Sequence, residues 1–338
     1  MPDVTTAAAP LTVEDLEPHR RELTGYCYRM LGSGSEADDA VQETMVRAWR
    51  SADRFEGRSS VRTWLFRIAS NVCIDMGRSA QRRSLPMDLG PVRTPDAAHL
   101  ADVLGEDRWI TPVADEHVID PDGDPAQVAV QRDTIRLAFV AALQRLPARQ
   151  RAALVLCEVL AWPVRDVAEL LDTSVPAVNS ALQRARATLA AVPAGPTAPL
   201  TATQCELLSR FVDAFERYDM DALADLLHLD VVQSMPPYAM WLRGRDDVLT
   251  WWAGPGAGCA GSRLLAGWAN GCPAFAQYRR DPAGGHSPWA LQVLELRGDR
   301  IGAVHSFLDT EESFPRFGFP LHLGDDLPGS QAGPQHSA

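Results

Sequence analysis

Apolar residues recur at intervals of three and four through residues 14–85, a period that belongs to helices. The clearest stripe is Ala37, Ala40, Val41, Thr44 and Ala48, extended by Trp49, behind a Ser35-Glu36-Ala37-Asp38 start that resembles a capping box. A loop containing Gly57 ends that helix, and Ser59 or Ser60 is placed to cap the next. The next helix buries Val61, Leu65, Ile68 and Val72, and its other face carries Arg62, Arg67, Asn71 and Arg78. A second helical block covers 131–192: Ile135, Phe139, Leu143 and Leu146 keep helical spacing until Pro147, and a further helix covers 148–160. Beyond residue 200 the period changes. Helices at 203–217 and 219–228 precede strand-like segments at 230–235, 262–269, 273–280, 288–297 and 300–309, with Gly298-Asp299 as a hairpin turn.

Breaks in this pattern set the domains. A Pro/Asp-rich segment at 86–128, a Pro/Ala/Gly segment at 193–200 and a Gly/Pro/Ser tail after 325 read as linkers. The chain therefore divides into an N-terminal tail (1–14), a helical domain (15–85), a linker (86–130), a second helical domain (131–192), a short linker (193–202), an α+β domain (203–324) and a tail (325–338). A length of 338 residues exceeds what one core usually serves, and 46% apolar with 22% charged residues is the balance of soluble globular protein. The long apolar run from Ala152 to Trp162 is interrupted by Glu158, so no transmembrane helix is expected. The N-terminus lacks a secretion signal, which makes the cytoplasm the expected location. The six cysteines are far apart without a C-x-x-C pair, so neither a metal site nor a disulfide framework is expected, and no cofactor is implied.

A net charge of −12 conflicts with nucleic-acid binding until its distribution is considered. Between Ser60 and Leu85 five arginines (Arg62, Arg67, Arg78, Arg82, Arg83) face one acid, Asp75, for a balance of +4. Between Leu85 and Val130 ten acids face Arg93 and Arg108, for a balance of −8. From Val164 the sequence VRDVAELLDTSVPAVNSALQRARATL fits a helix-turn-helix, with Val167, Leu171, Val178 and Leu182 packing inward and Ala168 filling the crowded crossing. Ser174 is placed to cap the second helix, whose first turn tolerates Pro176. That helix exposes Asn179, Ser180, Gln183, Arg184 and Arg186, which suit the base edges and phosphates of a major groove.

Two segments together resemble the extracytoplasmic-function (ECF) class of bacterial sigma factors. EADDAVQETMVRAWRSADRFEGRSSVRTWLFRIASNVCIDMGRSAQRR is similar to sigma region two, and LPARQRAALVLCEVLAWPVRDVAELLDTSVPAVNSALQRARATL to region four. The resemblance implies that Asp39, Gln42 and Glu43 dock on the polymerase core. It places the loop Phe55–Ser60 and the following helix on the −10 element, with Asn71 and Asp75 lining the pocket for an extruded base. Arg62, Arg67, Arg78, Arg82 and Arg83 then hold phosphates there, while Trp64 belongs to the core. The same resemblance sets Asn179, Ser180, Gln183, Arg184 and Arg186 over the −35 element, although many relatives carry arginine where this chain has Asn179 and Ala181. The acidic linker has two readings: a polyanion threaded through the polymerase channel, or a solvated spacer.

Residues 203–324 resemble the SnoaL-like group of the NTF2-like fold, a curved sheet around helices, on pattern more than motif. The expected fold is thus multidomain: two all-α sigma domains followed by an α+β NTF2-like cone, as in the actinobacterial sigma G and sigma J types. Such a cone holds a small ligand in some relatives, with Tyr238, Trp241, Trp252 and His305 as candidate lining residues beside Met240, Trp251 and Trp268. His305 and Asp309, four apart on an expected strand, form an acid–base pair in the competing enzyme reading, an isomerase or hydrolase with a helical recruitment module. A stand-alone repressor is weaker, since it leaves the helix at 35–54 unexplained. The preferred reading is a sigma factor without chemistry of its own, whose partners are polymerase core and promoter DNA, with a small molecule or an anti-sigma factor as further candidates and no membrane. The cone is expected to adjust activity in cis, with Phe314, Phe317 and Phe319 packing back onto the sigma regions.

Overall fold

Gly32, with φ 73°, ends the first long helix, and Ser33 starts the next by accepting a hydrogen bond from the Glu36 amide at 3.3 Å. The computed structural model in which these contacts occur describes residues 11–55, 57, 59–79, 83–101, 103–190 and 199–324. The chain forms two compact units: Met1–Arg83 with His117–Ala194, and Ser84–Glu116 with Gly195–Ala338.

In the first unit, helices α1 (Arg20–Leu31), α2 (Gly34–Arg50) and α3 (Val61–Ser79) pack together. Ala37, Ala40, Val41, Thr44 and Ala48 are all buried, as their spacing requires. Trp49 is not: it is 63% exposed, because one residue beyond Ala48 the helix has turned about 100° away from the core. The buried face of α3 is also rotated from the expected one. Leu65 and Val72 are buried with Phe66, Ala69 and Cys73, whereas Val61 and Ile68 are half-buried. Tyr26 of α1 meets Phe66 edge-on at 5.3 Å, and its hydroxyl lies 2.7 Å from Ser70 Oγ.

Helices α4 (Pro125–Ile135), α5 (Leu137–Gln144), α6 (Ala148–Leu154), α7 (Val164–Leu170) and α8 (Val175–Leu189) also belong to this unit. Asp124 caps α4 by accepting from the Gln127 amide at 3.2 Å, so a helix begins inside the segment expected to be a spacer. A buried polar seam joins α1 to this second block. Arg29 donates to Thr134 Oγ1 (2.9 Å) and to the carbonyls of Gln131 (3.1 Å) and Gly25 (2.7 Å). Gln144 Nε2 donates to the Arg29 carbonyl at 3.3 Å, and Arg151 donates to Gln144 Oε1 (2.5 Å) and to the Met30 carbonyl. Burial lowers the Arg29 pKa to about 10.

The second unit is α+β. Helices α9 (Ala202–Arg217) and α10 (Met220–Leu226) lead into β1 (Leu227–Ser234), which starts three residues before the expected strand. Then follow β2 (Trp241–Arg243), α11 (Arg245–Ala253), β3 (Arg263–Ala269), β4 (Cys272–Arg280), β5 (His286–Arg297), β6 (Arg300–Phe307) and α12 (Thr310–Arg316). The sheet order is β2-β1-β6-β5-β4-β3, with β1 parallel to β6 and the other pairs antiparallel. At three residues, β2 is too short to show an alternation in sequence.

One face of the sheet packs Phe275, Leu294 and Val304 against Phe211, Phe215, Val248 and Trp252 of the helices. On the other face Tyr278 meets Phe314 at 5.1 Å, Phe314 meets Phe319 at 5.8 Å, and Leu323 exchanges two backbone hydrogen bonds with His286 (2.8 and 2.9 Å). The aromatic segment expected to pack onto the helical domains thus covers the sheet of its own unit.

The acidic segment is the largest departure from expectation, because 84–116 is built into the second unit. The Trp241 indole donates to the Gly90 carbonyl (2.9 Å), the Arg93 amide to the Trp241 carbonyl (2.9 Å) and the Leu104 amide to the Pro237 carbonyl (3.1 Å). The Val113 amide donates to Asn270 Oδ1 and the Asn270 amide to the Val113 carbonyl, each at 3.1 Å, and Asp115 Oδ1 accepts from the Gly271 amide at 2.8 Å. Apolar residues embedded among the acids supply the anchor: Leu85, Trp109, Ile110 and Val113 are buried.

Candidate nucleic-acid interface

The arginine face of α3 rests on a helix that Ser60 starts by accepting from the Thr63 amide at 3.1 Å. Asn71 and Asp75 are exposed one turn apart, and Arg67 is exposed beside them. Arg62 is held by Glu22 through its Nε (2.9 Å) and a second nitrogen, and its guanidinium also lies 4.6 Å from the Trp162 ring centroid. Arg83 does not join this face: it is buried and paired with Glu36 at 2.7 Å, which corrects its expected role as an exposed phosphate contact. Arg82 and the side chain of Arg78 lie outside the described residues. Trp64 is half-buried against Phe55, with ring centroids 5.1 Å apart.

The helix-turn-helix forms as its spacing predicts. Val167, Ala168, Leu171, Val178 and Leu182 are buried between α7 and α8, and Ser174 Oγ accepts from the Ala177 amide at 3.3 Å. The turn has Asp172 where a glycine would be easiest, and Asp172 takes the left-handed conformation at φ 51°. Asn179, Ser180, Gln183, Arg184 and Arg186 are all exposed on α8. Arg186 pairs with Glu158 at 2.5 Å, a partner that no sequence period indicates. Next to Glu158, burial first and then the carboxylate charge push the Cys157 thiol up to about 11.

On α2, Asp39, Gln42 and Glu43 are exposed, with Glu43 bonded to Arg47 at 2.6 Å. Gln42 also borders a groove of about 230 Å³, together with Val13, Leu16, Met45, Val46 and Trp49. Sequence spacing assigned Trp49 to the core; its exposure makes it part of this surface instead.

The candidate ligand residues of the α+β unit are divided between the two faces of the sheet, with Trp241 and His305 in register on either side of Ser234 on one of them. Tyr238 and Trp241 carry the acidic segment, through a bridge from Tyr238 to Val103 and the bond to Gly90. Trp252 is buried against Phe215 on the helical side of the sheet, with ring centroids 6.0 Å apart. His305 lies on the opposite face, next to Val304 in an alternating strand, with its Nδ1 2.8 Å from Ser234 Oγ and its Nε2 3.9 Å from Glu295. Asp309 lies beyond β6, which ends at Phe307, so the strand geometry that paired it with His305 does not hold. Polar side chains do meet on the helical side: Gln292 donates to Gln277 (2.7 Å), Gln277 to Ser262 (3.0 Å) and Gln233 to Ser306 (3.2 Å). Among the described residues no three His, Cys, Asp or Glu side chains are grouped to hold a metal, and no helix is long and apolar enough to cross a membrane.

Three family models match the chain: sigma-70 region 2 at residues 16–83, sigma-70 region 4 at 136–189 and a SnoaL-like domain at 208–303. The ECF RNA polymerase sigma factor SigG of Mycobacterium tuberculosis (strain CDC 1551 / Oshkosh) is 43% identical over 314 residues, which is 91% of this chain and 83% of that protein. SigJ of M. tuberculosis (strain ATCC 25618 / H37Rv) is 30% identical over 268 residues, 76% of this chain and 78% of that protein. The crystal structure of M. tuberculosis SigJ shares the fold, with a TM-score of 0.57 at 23% identity over 92% of this chain and 100% of that one.

Proposed function

The chain belongs to the ECF family of RNA polymerase sigma factors, and on that premise we propose residue roles for its contacts with polymerase core and promoter DNA and a regulatory role for its third domain. Asn179, Ser180, Gln183, Arg184 and Arg186 read the −35 element from α8. Arg62, Arg67, Asn71 and Asp75 engage the −10 strand from α3. Asp39, Gln42 and Glu43 dock on polymerase core, with Trp49 and the apolar groove beside Gln42 extending that surface. The cytoplasm, where polymerase works, is the proposed location.

The SnoaL-like domain acts in cis and without turnover, by holding the segment that connects the two sigma regions. The observation that carries this reading is the set of hydrogen bonds from Gly90, Arg93, Leu104, Val113 and Asp115 to Trp241, Pro237, Asn270 and Gly271. A segment fixed at both ends to a folded domain is not free to adjust the spacing of the two DNA-reading helices. The acidic charge of the segment is then secondary to its apolar anchors.

The test is reconstitution with core polymerase. The full chain should co-elute with core and initiate a defined transcript from a cognate promoter. Asp39→Ala with Glu43→Ala should lose co-elution, and Gln183→Ala should lose promoter selectivity by roughly 5- to 150-fold, the equivalent of about 1–3 kcal/mol per bidentate contact. Absence of core binding by the intact chain rejects the proposed roles.

A further inference from the structure

Trp162 lies in the turn before α7, at the end of the apolar run from Ala152, and is 7% exposed. What it covers is α3. Its ring centroid is 5.2 Å from that of Phe66 at an interplanar angle of 52°, and the Arg62 guanidinium lies 4.6 Å from the indole and 5.3 Å from Phe66. One turn of α3 further on, an Arg67 terminal nitrogen is 3.8 Å from a Glu169 carboxylate oxygen and donates to the Glu169 carbonyl at 3.4 Å. A ring tilted over Phe66 and set against one arginine, with an anion at the next arginine, occupies the places a single-stranded nucleotide uses for its base and its phosphate.

We infer that Trp162 and Glu169 act as an internal nucleotide mimic on α3, so that region four and the −10 strand compete for Arg62, Phe66 and Arg67. The inference rests on the assignment of α3 to the −10 strand proposed above. A detail of the contact favours exchange over permanent packing: the Trp162 indole N–H is buried and has no acceptor among the described residues, and such a donor gains a hydrogen bond when the turn moves into water. The contact on Glu169 is open to solvent, with its side chain 80% exposed, so salt weakens it. DNA that packs on Phe66, pairs with Arg67 and shares Arg62 with Glu22 replaces the contacts that Trp162 and Glu169 make on α3.

The test measures binding of a fluorescein-labelled 12-nucleotide single strand to the full chain by anisotropy, with circular dichroism checking that each variant is folded. Trp162→Leu, which keeps an apolar side chain, should raise affinity by about tenfold, and Glu169→Arg, at an exposed position, by about threefold. Arg62→Ala should lower affinity, and combining it with Trp162→Leu should remove most of the gain. Binding of the strand to the unaltered chain should also speed amide exchange at 160–164. If Trp162→Leu and Glu169→Arg leave affinity unchanged while Arg62→Ala lowers it, the mimic is rejected and the −10 assignment stands. If Arg62→Ala and Arg67→Ala alter neither strand binding nor promoter opening with core polymerase, the −10 assignment falls and the mimic with it.

Discussion

The Trp241 indole donates to the Gly90 carbonyl oxygen at 2.9 Å, and the Trp241 carbonyl accepts from the Arg93 amide at the same distance. One residue of the shortest strand therefore clamps the acidic segment from both sides of Pro91. Trp241→Phe keeps the ring and deletes the indole donor. The expected cost is about 1 kcal/mol of local stability, read as faster amide exchange at 90–93. Promoter output in a run-off assay should rise, because the connecting segment is released. Unchanged exchange and unchanged output together would reject the restraint by the SnoaL-like domain.

Backbone conformation supplies a second prediction. Ala161 and Asp172 both take positive φ, at 54° and 51°, on either side of α7. A side chain with a Cβ is disfavoured there by about 1–2 kcal/mol, less for Asp than for Ala, and glycine offsets part of its gain through a more flexible unfolded chain. Ala161→Gly should therefore stabilise the first unit by about 0.5–1 kcal/mol in urea denaturation, and Asp172→Gly by less. Ala161→Val should destabilise it, since β-branching makes the left-handed region harder to reach.

The Cys157 thiol is raised from its ordinary value of 9 to about 11, chiefly by burial. Since the folded value lies above the unfolded one, the protonated thiol favours the native state below pH 9, and that contribution is lost as pH rises through 11. Alkylation by iodoacetamide at pH 8.5 should accordingly modify exposed Cys205 first, with Cys157 reacting only as the pH approaches 11. Mass spectrometry of tryptic peptides across a pH series reads the order. Equal rates for the two at pH 8.5 would overturn it.

The helix-turn-helix was legible because its packing is local: Val167, Leu171, Val178 and Leu182 are set by helical period and Ser174 by capping chemistry. The acidic segment was not, because ten carboxylates obscure the few side chains that anchor it, and Trp109 and Val113 follow no period. The split of the ligand set has a related cause. A strand's alternation places His305 opposite Val304 but does not say which face the helices cover, so alternation alone leaves His305 and Trp252 compatible and the packing of the helices separates them. Trp49 lies one residue beyond a true stripe, where the helix has turned toward solvent, and Trp162 ends an apolar run that shows burial without showing which helix it packs against.

The ion pair between Arg186 and Glu158 bears on how strongly region four grips DNA. Among the exposed polar residues of α8 assigned to the −35 element, only Arg184 and Arg186 are cationic, and Arg186 meets a carboxylate at 2.5 Å. Both partners are well exposed, 64% and 41%, so the pair adds little to stability. Its effect is on the field presented to a phosphate, since Glu158 cancels one of two positive charges. Glu158→Gln keeps the shape and a hydrogen-bonding group while removing the charge. The logarithm of the association constant for a −35 duplex should then depend more steeply on the logarithm of salt concentration, by about 0.9 for one added phosphate contact. Arg186→Ala in the Glu158→Gln background should return the slope to that of the unaltered chain. A slope that does not change with Glu158→Gln would mean that Arg186 already contacts phosphate in the complex, with Glu158 displaced on binding.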